Sequence, residues 1–170
     1  MQQLADRIDR LTASIGWAAA WCCLFVVVAE FAVVGLRYVL GVGSLRLQES
    51  ILYAHAALFM LGTAWTLQVG GHVRVDIFYA HAKPKTRALV DLVGTIVFLL
   101  PFALALMVLS LPYVARSWAI LERSREASGL PFVYLLKTLI PVFAILIGLQ
   151  GLAQAIRAVS VLGGAGRAPS

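Results

Sequence analysis

RLQESILYAHAALFMLGTAWTLQVGGHVRVD, residues 46–76, is the stretch that decides the fold. Its apolar interior, 47–69, is long enough at about 1.5 Å per residue to cross a hydrocarbon layer of roughly 30 Å. Polar clusters stand at both ends, Arg46-Gln48-Glu49 before the run and His72-Arg74-Asp76 after it. Such flanks mark where a helix leaves lipid for headgroups or for another protein. Gly62, Thr66 and Gly70 recur at i, i+4 and i+8, so the spacing predicts a small-residue face on which a second helix can pack closely.

Outward from this stretch, the 170 residues are 61% hydrophobic and only 13% charged. A soluble domain is about half apolar and about one quarter charged, so the composition is that of a membrane protein. The net charge of +6 then belongs to loops and anionic headgroups, and it does not argue for nucleic acid as a partner. Cys22 and Cys23 are adjacent inside the first apolar run and read as small packing residues. The first apolar run is longer than a typical signal-peptide h-region and its lead-in carries two aspartates, so it reads as a retained helix.

The fold class expected is an all-α integral membrane protein with four transmembrane helices, at about 15–36, 47–69, 88–114 and 135–161, forming one domain over 1–170. Residues 1–14 place Leu4, Ile8 and Leu11 on one face, which suits a short amphipathic helix at the interface or a polar lead-in. Glu30 lies inside the first crossing, where an unpartnered carboxylate costs on the order of 2.5 kcal/mol or more. In an antiparallel hairpin His55 reaches similar depth, so a Glu30–His55 hydrogen bond is one candidate pair; the alternatives are a partner protein's helix for Glu30 and plain packing for His55. Arg37 and Tyr38 close the first span, and Gly41 and Gly43 make the turn. Pro101 stands mid-way in the third crossing, where a missing N–H predicts a kink. The connection 115–134 mixes Trp118, Ile120 and Leu121 with five charges and predicts an amphipathic surface helix ending at Gly129. In the fourth crossing Ala144 with Gly148, and Gly151 with Ala155, form two close-packing pairs. The tail 162–170 is expected to be disordered.

Chemistry is sparse. Only His55 lies at membrane depth, so a bis-histidine haem site is not offered, and no motif for a nucleophile, phosphate loop or metal site appears. The expectation is no enzyme and no cofactor. A small proton-coupled multidrug exporter using Glu30 is the alternative, with four helices and one carboxylate. Against it stand the long charged connections and the few polar groups within the spans.

The run Arg37-Tyr38, Gln48-Glu49, Tyr53, Leu58-Phe59, Leu61-Gly62-Thr63-Ala64 and Gly71-His72-Val73-Arg74-Val75-Asp76 resembles the small membrane subunit, DctQ-type, of tripartite ATP-independent periplasmic (TRAP) transporters. Ser128-Gly129-Leu130-Pro131 and Leu136-Lys137 with Ile140-Pro141 extend the likeness along nearly the whole chain. The resemblance implies a scaffold in the bacterial inner membrane, both termini cytoplasmic. Its implied partners are a large elevator-type permease that carries substrate and sodium, a periplasmic substrate-binding protein that delivers an organic acid, and membrane lipids. On that reading Arg37, Arg46, Gln48, Glu49, Gly62, Thr66, Gly70, His72, Arg74 and Asp76 are the candidate partner or lipid contacts. Charge alone leans the same way, with eight Lys and Arg inside against six outside for an N-in topology.

Overall fold

Small residues set the course of the first helix. A computed structural model of the chain describes residues 2–72, 79 and 82–164, and in it α1 runs unbroken over Gln2–Leu40. At 39 residues it is nearly twice the length that a roughly 30 Å hydrocarbon layer requires. The amphipathic lead-in expected over 1–14 is therefore the first part of α1. Its inward face is Ala5, Ile8, Thr12, Gly16 and Ala19, while Leu4 and Leu11 point outward. Period alone selected Leu4, Ile8 and Leu11; of these the helix buries only Ile8 and otherwise turns small residues inward, because α1 lies close against its neighbours.

Gly16 shows how close. A Cβ there would overlap the side chain of Trp65 on α2 (Leu45–Gln68), so only glycine admits the indole. Ser44 caps α2 by accepting from the Leu47 N–H at 3.4 Å. At the other end Gly70 takes φ +67°, with Gly70 N–H on the Leu67 carbonyl and Gly71 N–H on that of Thr66. This is a Schellman closure. Gly70 thus terminates α2 and does not share a helical face with Gly62 and Thr66, which corrects that part of the expected stripe.

The third crossing comprises α3 (Pro84–Gly94), a π-helical turn (Thr95–Leu99) and α4 (Leu100–Ala119). Pro101 follows the wide turn directly, and the Leu100 N–H reaches back five residues to the Thr95 carbonyl. The chain accommodates the missing proline donor by widening one turn. That turn carries Leu99 over Gly151, where a Cβ would overlap the Leu99 methyl.

α5 (Val133–Leu162) is the hub. It packs on α1, α2, α3 and α4, and 39% of its apolar window is buried, against 11%, 6% and 11% for the other three crossings. Ala153 joins Ala5 and Ile8 of α1, and Ala158 and Val161 join Ala88 of α3. Gly148 lies against Ala103 of α4. The result is all-helical among the described residues, with four helical segments long and apolar enough to cross a membrane: Gln2–Leu40, Leu45–Gln68, Pro84–Ala119 and Val133–Leu162. The last described residues are Gly163 and Gly164, so most of the tail expected to be disordered lies outside the described residues.

Candidate functional site

The bundle has two chemically different ends. At the end away from the termini, α4 stops at Ala119 and the chain does not form the surface helix expected over 115–134. Leu121 adopts φ 45°, and the connection folds back as a loop whose Ser124 N–H donates to the Leu130 carbonyl at 3.1 Å. The reason is Glu49. One carboxylate oxygen accepts from Ser124 Oγ and the other from the Leu130 N–H, both at 2.5 Å. Arg46, one turn earlier on α2, donates from Nε to the Ser128 carbonyl at 3.2 Å. A helix across 120–132 would withdraw these backbone groups from α2, and four charge-assisted or loop bonds favour the folded loop instead. Gly129 is required here, since a Cβ would overlap Ser124 and crowd the Glu49 carboxylate.

The loop is also tied to α5. Lys137 Nζ donates to Glu122 Oε2 at 2.5 Å and lies 4.1 Å from the centre of the Tyr113 ring. That hydrogen bond holds the Glu122 carboxyl below the usual carboxylate range. Trp118 donates from Nε1 to Thr138 Oγ1 at 2.8 Å and meets the Tyr134 ring edge-on at 4.7 Å.

At the end bearing the termini, the polar groups lie inside. Thr12 and Gln150 are 0% and 1% exposed. Thr12 Oγ1 donates to Gln150 Oε1 at 2.9 Å and lies 3.2 Å from Gln68 Oε1. Gln150 Nε2 donates to Asp9 Oδ1 at 3.0 Å, and Asp9 Oδ2 pairs with Arg157. The network joins α1, α2 and α5 and satisfies the Thr12 hydroxyl and the Gln150 amide where lipid supplies no partner. Sequence reasoning did not single out these residues, yet Gln150 carried a signal as one of two amides, with Gln154, within the apolar fourth crossing.

Of the residues singled out from sequence, Arg46 and Glu49 are brought together with the loop. Arg37 is exposed at the end of α1, and Gln48 is half-buried. Gly62 and Thr66 line a groove of about 350 Å³ between α1 and α2, with Gly16, Ala20, Phe59 and Trp65 also in its wall and His72 at one end. Thr66 returns its hydroxyl to the Gly62 carbonyl at 3.0 Å, and a Cβ at Gly62 would meet nothing. Arg74 and Asp76 lie outside the described residues. Glu30 and His55 are both exposed and no hydrogen bond joins them; the His55 ring instead packs on Phe59 at 4.7 Å between centres. α1 turns Ala29 inward, which carries the neighbouring Glu30 to the outside.

Over residues 25–161 the chain matches the family described as tripartite ATP-independent periplasmic transporters, DctQ component. The chain belongs to the DctQ family. It is accordingly a multi-pass membrane component of a TRAP transporter. Comparison with curated proteins and with solved structures found no match. Arg46, Glu49, Gly62, Thr66, the loop 120–132 and the Thr12–Gln150 network all fall on or beside the matched span. Of the network, only Asp9 and Thr12 precede the DctQ match.

Proposed function

We propose that this DctQ-family chain is a non-catalytic scaffold. It binds the large elevator-type permease and fixes that partner's static part in the bacterial inner membrane, with both termini in the cytoplasm. The permease holds the sodium and substrate sites, and a periplasmic substrate-binding protein delivers an organic acid to it. The observation that carries this reading is where the polar groups are used. Thr12, Gln150 and Asp9 are spent joining the chain's own helices, while α1 and α2 offer an open groove at Gly62 on the outer surface. A scaffold needs rigid helices and a face for a partner, and it needs no path for solute.

In this reading the Gly62–Thr66 groove receives a helix of the permease, and Arg74 and Asp76 pair with permease or headgroup groups at the cytoplasmic end. A Cβ at Gly62 meets no atom of this chain, so Gly62→Leu places its side chain in the groove. The expected outcome is an intact, folded subunit that no longer co-purifies with the permease. Asp76→Lys is expected to weaken the same association. Undiminished co-purification of both variants, or solute transport by this chain alone in proteoliposomes, would overturn the scaffold reading.

A further inference from the structure

A cleft of about 480 Å³ opens between the first turn of α2 and the loop 120–132. Arg46, Arg123 and Arg125 line it, all three exposed, with Glu126 as the carboxylate in its wall. The other carboxylates nearby are already committed. Glu49 holds Ser124 and Leu130, and Glu122 holds Lys137. Arg46 spends only its Nε, on the Ser128 carbonyl, and no ion pair joins any of the three guanidiniums to a carboxylate among the described residues. Three guanidiniums against Glu126 in the wall and Glu49 behind it, which keeps its charge because Ser124 and Leu130 are neutral donors, leave the cleft cationic. Planar forked donors match a tetrahedral oxyanion and bind it bidentately.

The residues that flank the loop say which oxyanion. Ile120 and Leu121 are 72% and 57% exposed where the loop leaves α4, and Phe132 is 43% exposed where it enters α5. Trp118 and Tyr134 stand at the same level, the position indole and phenol rings take among headgroups. A concave cationic site on a loop flanked by exposed apolar residues suits a lipid better than the broad acidic face of a soluble protein. We propose that this cleft binds the phosphate of an anionic phospholipid such as phosphatidylglycerol. Arg46, Arg123 and Arg125 hold the phosphate, while Ile120, Leu121 and Phe132 meet the acyl chains. The site is independent of the permease groove, which opens between α1 and α2.

The test is native mass spectrometry of the full chain in detergent, titrated with phosphatidylglycerol and, separately, with phosphatidylcholine. The wild type is expected to retain phosphatidylglycerol in preference. Arg123→Gln with Arg125→Gln is expected to reduce that retention by about tenfold, the scale of losing charge-assisted pairs, with phosphatidylcholine unaffected. Arg116→Gln removes an exposed cation outside the cleft and is expected to change nothing. Equal retention by the double variant, or an equal loss in Arg116→Gln, would overturn the site. Displacement of the lipid by inorganic phosphate or succinate would make the ligand a soluble anion and overturn the lipid assignment. If the glutamine pair unfolds, Arg123→Lys with Arg125→Lys keeps the charge without the fork. Reduced retention there supports the site, and full retention sinks it.

Discussion

The two ends of this bundle use the same chemical groups to opposite effect. At the end with the termini, Thr12 and Gln150 meet inside the helices, and Asp9 and Arg157 close the network at its half-buried edge. At the other end, Glu49 and Lys137 reach out of the helices and fasten a loop that remains at the surface. The first arrangement fixes how α1, α2 and α5 sit against one another. The second fixes only what is displayed. A membrane subunit that must be stiff yet bind others can place its rigidity at one end and its exposed chemistry at the other.

If that division is right, breaking the inner network costs the whole bundle. Gln150→Leu takes the donor from one Asp9 oxygen and turns the Thr12 hydroxyl over to Gln68 Oε1 or the Ile8 carbonyl, a loss of about 1–3 kcal/mol. Unfolding in mixed micelles should register it, with no change in how the loop 120–132 is cleaved. Thr12→Val should cost less, and the double variant should fall short of the sum by about 0.6 kcal/mol, the average coupling in membrane bundles. Strict additivity would mean that the two side chains do not act as one network.

Glu49→Gln is the matching break at the other end. An amide can satisfy one of the two donors but turns its NH₂ toward the other, so either Ser124 or Leu130 loses its acceptor. Hydrogen-exchange protection of the Leu130 amide should fall by about tenfold or more, the scale for losing a bond to a charged acceptor. Bundle unfolding should stay near that of the wild type. A global loss of stability would erase the contrast between the ends.

What could be read in advance follows the range of each force. Four crossings were legible because hydropathy sums over some twenty neighbouring residues, and chain order then fixes their approximate bounds. Glu49 stood out because a carboxylate beginning an apolar run needs a partner. Its partner did not, since Ser124 and Leu130 are remote in sequence and hold a loop where local pattern favoured a helix. The Asp9–Arg157 pair was illegible for the same reason, each residue passing for an ordinary interfacial charge. The burial of Ala5 over Leu4 was also hidden. Periodicity finds a face but not the distance at which a neighbour lies, and Gly16 against Trp65 sets that distance. Pro101 announced a disturbance of its helix, while the widened turn depends on Leu99 finding room over Gly151.

The smallest effect belongs to the Glu122–Lys137 pair, and it separates the two ends by pH. Because the hydrogen bond from Lys137 lowers the Glu122 carboxyl below its ordinary value, the folded loop binds that proton less readily than the unfolded chain does. Its contribution is therefore complete above the ordinary glutamate range near pH ~4.3 and is lost as pH falls through the lowered value. Both partners keep some exposure, so salt and water screen the pair and the effect stays local. Limited proteolysis at Arg123 and Arg125, or the fluorescence of Trp118 on the same segment, should be flat from pH 8 to 5 and change only in acid. Glu122→Gln should reduce that acid-dependent change, leaving the part that belongs to Glu49, whose carboxylate also fastens the loop through Ser124 and Leu130, and should leave the neutral-pH signal of the inner network intact. A transition centred above pH 5 would point to a different titrating group and would detach the loop's fastening from Glu122.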